Sequence, residues 1–323
     1  MTIPDTTATF EAGDLALDSG EVLPDARVVY RVIGQPDAER ANCILLPTYY
    51  TGSHRSYDAM IGPGRALDPA RWCIVIASMF GNGWSTSPSH RGDGPPFAAV
   101  SIADNVRAQE LLLREELGIT RLALAAGWSM GAMQAIGWAA LFPDRVERLL
   151  AWCGAARCWP LNRVFLEGVR AALLADPTPG RAAGLRAFGR VYAGWAYSAA
   201  FFRDEGWRAL GMESLDAFLT YWEDDHAGWH ADDLLAMLET WRSADLVPLL
   251  PAIRARSVIM PCDTDAYFTE AENRIEAALI PGAEVKVLRS DAGHCAGAPG
   301  RFAAETTKIE AEIVSLLARP AFA

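Results

Sequence analysis

Residues 125–135, AAGWSMGAMQA, set Ser129 between two glycines where an apolar run (residues 122–126) meets a helix-like run (residues 130–142). A strand that turns sharply into a helix through Gly-x-Ser-x-Gly lifts the serine hydroxyl clear of the sheet. The helix N-terminus beneath it supplies backbone N–H groups and the positive end of the peptide dipoles. Gly127 and Gly131 let the two backbones pass closely. A glycine-flanked turn without chemistry carries the same letters, so the surroundings must decide.

Short apolar runs recur on both sides: residues 27–32, 43–46, 72–77, 122–126, 148–152, 257–260 and 284–288. They are nearly continuous in Val, Ile, Leu and Ala, as strands covered on both faces require. Helical patterns at residues 103–117, 130–142, 269–278 and 302–317 lie between them. This alternation predicts a mostly parallel, doubly wound α/β sheet. One segment breaks the rhythm with helical periodicity and almost no strand signal, and it is rich in aromatics, among them Trp195, Trp207, Trp222, Trp229 and Trp241. The expected organisation is a core over residues 1–156, an inserted helical cap over 157–246, and the rest of the core over 247–323. Most aromatics of the cap are expected to form its own core.

Composition narrows the function classes. The 323 residues carry 29 Lys and Arg against 40 Asp and Glu, a net charge of −11. Without a basic cluster the chain suits neither nucleic acid nor an anionic membrane surface. The first residues hold no basic n-region or apolar h-region, and no apolar stretch is long enough to span a bilayer. Six scattered cysteines, with no CxxC and no HExxH, fit free thiols in a cytoplasmic protein without a metal site.

A serine hydroxyl is nearly inert without a base to take its proton and an acid to orient that base. On a strand–turn–helix elbow the acid and then the base follow downstream. Of the five histidines only His294, in SDAGHCAG, lies beyond the last expected strand. The loop after residues 257–260 offers Asp263 and Asp265, one of them expected to stabilise the turn. An oxyanion hole needs the N–H of Met130 and a second donor from the loop after an early strand. ILLPTYYTGSH (residues 44–54) fits, with the backbone of Tyr50 as donor and Tyr49 as a candidate substrate contact.

These segments resemble the homoserine O-acetyltransferase family of the α/β-hydrolase superfamily. The likeness rests on GWSMGAMQAIGWAALFPDRVERLL (127–150), MFGNGWSTSPS (79–89), LPTYYTGSH (46–54), DTDAYFT (263–269) and AGH (292–294), and it covers most of residues 25–315. It implies the α/β-hydrolase fold, Asp265 as the acid, Arg190 and Tyr197 as an acceptor-binding pair, and a homodimer. It also implies transfer of an acyl group from acetyl-CoA through the serine, with acetyl-CoA as co-substrate and no bound cofactor. The sequence departs at Cys295. Members that accept an amino acid carry Asp directly after the base histidine, where it can pair with the substrate ammonium. A thiol cannot, and a lost buried charge partner weakens recognition by several kcal/mol. Three readings follow: a serine ester hydrolase acting on a small-molecule ester, an O-acyltransferase with a non-amino-acid alcohol, and a non-catalytic ligand-binding protein. The missing carboxylate favours hydrolysis.

Overall fold

Five-residue apolar strands form the middle of the sheet. The computed structural model describes residues 4–91 and 96–320; the outermost ends of the expected core segments, residues 1–3 and 321–323, lie outside the described residues. The strands are β1 (Asp5–Ala16), β2 (Val22–Ile33), β3 (Cys43–Pro47), β4 (Cys73–Ala77), β5 (Leu124–Trp128), β6 (Arg148–Trp152), β7 (Arg256–Met260) and β8 (Glu284–Val285). They lie in the order β1-β2-β4-β3-β5-β6-β7-β8. From β4 to β8 every pairing is parallel, while β1 pairs antiparallel with β2 and β2 with β4. The helices are α1 (Ile102–Leu111), α2 (Met130–Leu141), α3 (Pro160–Leu174), α4 (Ala182–Ala196), α5 (Ala199–Arg203), α6 (Leu215–Ala227), α7 (Ala231–Arg242), α8 (Glu270–Ala277) and α9 (Ala303–Leu317). Among the described residues no helix is long and apolar enough to cross a membrane.

The period of two in each strand divides the apolar residues between two cores. Leu45, Val75, Ala125 and Leu149 share one core with α1, α2 and the helices of the insertion. Ile44, Leu46, Ile74, Leu124 and Leu150 share the other with Ile309, Ile313 and Leu316 of α9. A central strand therefore has no solvent face, which is why its sequence shows no alternation.

Three elements differ from the sequence expectation. β1 was not foreseen: DTTATFEAGDLA is a solvated edge strand that buries only Phe10 and Leu15. The run at 284–288 forms only the two-residue β8, and Leu288 returns as an isolated bridge to Cys262. The helix expected over 103–117 is α-helical to Leu111 and then widens into a π turn, Leu112–Glu116.

The five helices α3 to α7 sit between β6 and β7, and the chain enters and leaves this insertion through a narrow neck. Cys158 N donates to Ala244 O at 3.0 Å and Leu246 N to Ala156 O at 2.9 Å, with Arg157 ion-paired to Asp245 between them. Glu276 of α8 clamps the neck from below. Its carboxylate accepts from Ala156 N at 2.6 Å, Arg157 N at 3.2 Å and the Trp159 indole at 2.8 Å. Burial pushes this carboxyl from its ordinary 4.5 up to about 7, against the pull of the three donors.

The folded chain thus holds the Glu276 proton more tightly than the unfolded chain does. The stability this adds is complete below about pH 4.5 and is lost as pH rises through about 7. Urea unfolding of the wild type and Glu276→Gln, measured across that range, should give a stability difference, wild type minus variant, that falls with rising pH. A difference that rises instead would mean that the three N–H donors outweigh desolvation.

Candidate active site

β5 ends at Trp128, α2 begins at Met130, and Ser129 between them adopts φ 58° and ψ −126°. A side chain in this region is strained by roughly 1–3 kcal/mol and persists only where the surroundings fix it. Two glycines make the turn possible by close approach. A Cβ on Gly127 would lie 2.4 Å from the Gly131 carbonyl carbon, and one on Gly131 would lie 2.5 Å from Pro47 O. Tyr57 buttresses the turn, its hydroxyl donating to Pro47 O at 3.0 Å and accepting from Trp128 N at 3.3 Å.

The raised serine meets its partners. The Ser129 hydroxyl donates to His294 Nε2 at 3.0 Å, and His294 Nδ1 donates to Asp265 Oδ2 at 2.7 Å. All three residues are buried. The other carboxylate oxygen of Asp265 accepts from Tyr267 N at 2.8 Å and Phe268 N at 3.2 Å, so the acid is held by its own turn. The histidine ring stacks on Trp128, with centroids 4.9 Å apart, and meets Tyr267 at 4.4 Å. Thr264 ties the acid and base loops together: its hydroxyl donates to Ser290 O at 2.6 Å and accepts from Gly293 N at 3.1 Å. Gly293 has φ 62°, and a Cβ there would lie 2.7 Å from Tyr197 Cα, so the base loop presses directly on the insertion. Asp263 is the turn-stabilising carboxylate, accepting from Ser290 N at 3.1 Å and pairing with Arg289.

The loop after β3 is fixed by a buried polar relay. Trp138 Nε1 donates to Gln109 Oε1 at 2.8 Å, Gln109 Nε2 to Gln134 Oε1 at 2.7 Å, and Gln134 Nε2 to Thr48 O at 2.7 Å. Tyr50 is tied to α7 by its hydroxyl, which donates to Leu234 O at 3.3 Å, and its ring stacks on Tyr192. Met130 opens α2, where first-turn amides have no partner within the helix.

Ser129 and His294 open onto a cavity of about 230 Å³. Tyr49, Tyr50, Trp128, Tyr192 and Trp222 supply its aromatic walls, and Asp225, His226, Cys295 and Arg301 supply polar ones. Burial pushes the Tyr49 phenol up to about 12 and the Cys295 thiol to about 11, so both are neutral at pH 7. The buried His226 is also kept neutral by desolvation, and its Nδ1 donates to Trp222 O at 2.9 Å.

Arg190 does not reach this cavity. The buried stripe of α4 runs through Leu185, Phe188, Gly189, Tyr192, Ala193 and Ala196, and Arg190 falls outside it, ion-paired to Glu223 of α6. Tyr192 is the α4 side chain at the cavity. Tyr197 is buried outside the lining and accepts from Arg301 at 2.9 Å. Sequence reasoning did not single out Arg301, Asp225 or His226. In WEDDHAGWH the last two look like part of a solvated acidic face.

A family model described as "alpha/beta hydrolase fold" matches residues 44–298. The chain belongs to the α/β-hydrolase family. This α/β-hydrolase is 35% identical to ethyl acetate hydrolase of Pseudomonas veronii over 96% of its own length and 95% of that protein's. It is 30% identical to a homoserine O-acetyltransferase of Chlorobaculum tepidum, covering 90% of each chain. The solved structure of an acetylester hydrolase from Corynebacterium glutamicum superposes with a TM-score of 0.92 at 32% identity, covering 98% of this chain and 96% of that one.

Ser129→Ala and His294→Ala should each lower turnover of p-nitrophenyl acetate by about 10³-fold or more with the thermal midpoint little changed. Asp265→Asn should be impaired far more than Asp263→Asn. Near-normal activity in either alanine variant would dismiss the triad, and the reverse ranking of the two aspartates would make Asp263 the acid.

Proposed function

We propose that this α/β-hydrolase cleaves short-chain carboxylic esters, foremost acetyl esters, through an acyl-enzyme on Ser129. The observation that carries this reading is the aligned Ser129–His294–Asp265 chain opening onto a small, aromatic-walled cavity. Pockets for drug-sized ligands run from about 300 to 1,000 Å³, so about 230 Å³ suits a short acyl group and a short alcohol. Likeness to an ethyl acetate hydrolase along nearly the whole chain supports the same class.

The steps follow from the geometry. His294, oriented by Asp265, takes the Ser129 proton as the oxygen attacks the ester carbonyl. The backbone N–H groups of Tyr50 and Met130 receive the developing oxyanion, an effect worth about 3 kcal/mol per donor. The tetrahedral intermediate collapses, and the imidazolium returns its proton to the departing alcohol oxygen. Water then attacks the acyl-enzyme with His294 as base, releasing the acid and the free serine. No step asks for a bound cofactor. We also place the protein in the cytoplasm, where six unpaired thiols stay reduced.

Acyl transfer from acetyl-CoA to an alcohol is the second reading, favoured by the likeness to the homoserine O-acetyltransferase. Both readings share every step up to the acyl-enzyme. Intact-protein mass spectrometry after mixing with ethyl acetate or acetyl-CoA, together with acetate release in water alone, separates them. Hydrolysis predicts steady acetate release from ethyl acetate, abolished by Ser129→Ala. A persistent serine-bound acetyl group from acetyl-CoA, discharged only when an alcohol is added, would make the protein a transferase.

A further inference from the structure

The cavity holds one guanidinium that the steps above leave unused. Arg301 follows the base loop and lines the same cavity as Ser129 and His294. Its Nη1 donates to the Tyr197 hydroxyl at 2.9 Å and its Nη2 to the Tyr221 hydroxyl at 3.3 Å. Among the described residues no carboxylate is paired with it, and its side-chain partners are the Tyr197 and Tyr221 hydroxyls. Asp225, the carboxylate of the lining, lies 3.5 Å from His226 instead. Two phenols thus orient the guanidinium, and its remaining N–H donors carry no carboxylate of the chain.

The position of Arg301 names the part of the substrate it meets. His294 must protonate the leaving oxygen, so the alcohol portion of the ester lies on the His294 side. Arg301 follows His294 in the chain, lines the same cavity, and holds Tyr197, against which Gly293 is packed. A planar guanidinium with parallel donors matches a carboxylate. A phosphate dianion calls for more positive charge than a single arginine supplies. We propose that Arg301 binds a carboxylate on the alcohol portion of the substrate, which makes the preferred substrates short-chain acyl esters of small hydroxy acids. This deepens the ester-hydrolysis reading and rests on it.

The test uses a charged and a neutral ester of one skeleton, 3-acetoxypropanoate and 3-acetoxypropanamide, titrated calorimetrically into the Ser129→Ala protein. The acid should bind about tenfold or more tightly than the amide. Adding Arg301→Gln should bring the two within about twofold of each other. Adding Arg301→Lys should leave an intermediate preference, because an ammonium cannot make two parallel bonds; this variant carries the test if the glutamine protein fails to fold. Equal affinities in Ser129→Ala, or a preference for the acid that survives the arginine substitutions undiminished, would overturn the proposal. Acetate release from the amide by the unsubstituted protein reports on hydrolysis separately. Its absence alongside selective acid binding would remove the hydrolysis reading and leave the carboxylate site standing.

Discussion

The site depends on one close approach, the crossing of β5 and α2 at Gly127 and Gly131 with Pro47 behind them. Any side chain at either glycine would occupy space that backbone already fills. Because these atoms cannot separate, the chain must turn within one residue, and Ser129 is driven to a positive φ. The strain is held by the sheet rather than by the serine. Ser129 N donates to Trp152 O at 3.2 Å on β6, and Tyr57 locks the end of β5 to the end of β3. A hydroxyl fixed in this way needs little reorganisation to meet its base, which is the condition under which positioned groups act strongly.

The relay from Trp138 through Gln109 and Gln134 to Thr48 O extends the same constraint to the loop opposite. Each of its links is buried, and a buried polar group without a partner is destabilising by roughly 1–3 kcal/mol. The network is therefore an all-or-none brace between α1, α2 and the loop that carries Tyr49 and Tyr50. It places both flanks of the cavity on one rigid body. The insertion is tied to that body at the neck, at Gly293, through the Tyr50 hydroxyl, through Asp233 to Ser89, through Thr240 to Val100 O, and through Tyr197 and Tyr221 to Arg301.

What could be read from the sequence follows from how local each signal is. The elbow, the order of acid and base, and the continuous apolar strands are local patterns, and five histidines left one candidate base. The choice between Asp263 and Asp265 came from likeness to a family. In the structure it comes from His294 Nδ1, which donates to Asp265 Oδ2 at 2.7 Å, while amides two and three residues on hold the other carboxylate oxygen. β1 escaped notice because its Thr, Glu and Asp residues face solvent, and β8 because two residues carry no period. Glu276 looks like any exposed carboxylate in EAENRIEA, and its burial comes from the neck folding over it. Arg190 is implied only by likeness to a family, and in the structure it lies outside the buried stripe of α4, paired with Glu223.

That displacement bears on what the cavity recognises. With Arg190 neutralised by Glu223 and Cys295 a neutral thiol, Asp225 and Arg301 are the charged side chains of the cavity lining. They are unequal partners for a ligand. Asp225 is half exposed and already faces His226, whereas Arg301 is braced by phenols that cannot neutralise it. A charge that the fold orients but does not compensate acts more strongly on a ligand than one screened by water. The triad makes the bond-breaking chemistry general, and these few side chains, supplied from outside the elbow, decide which ester is held in place long enough to meet it.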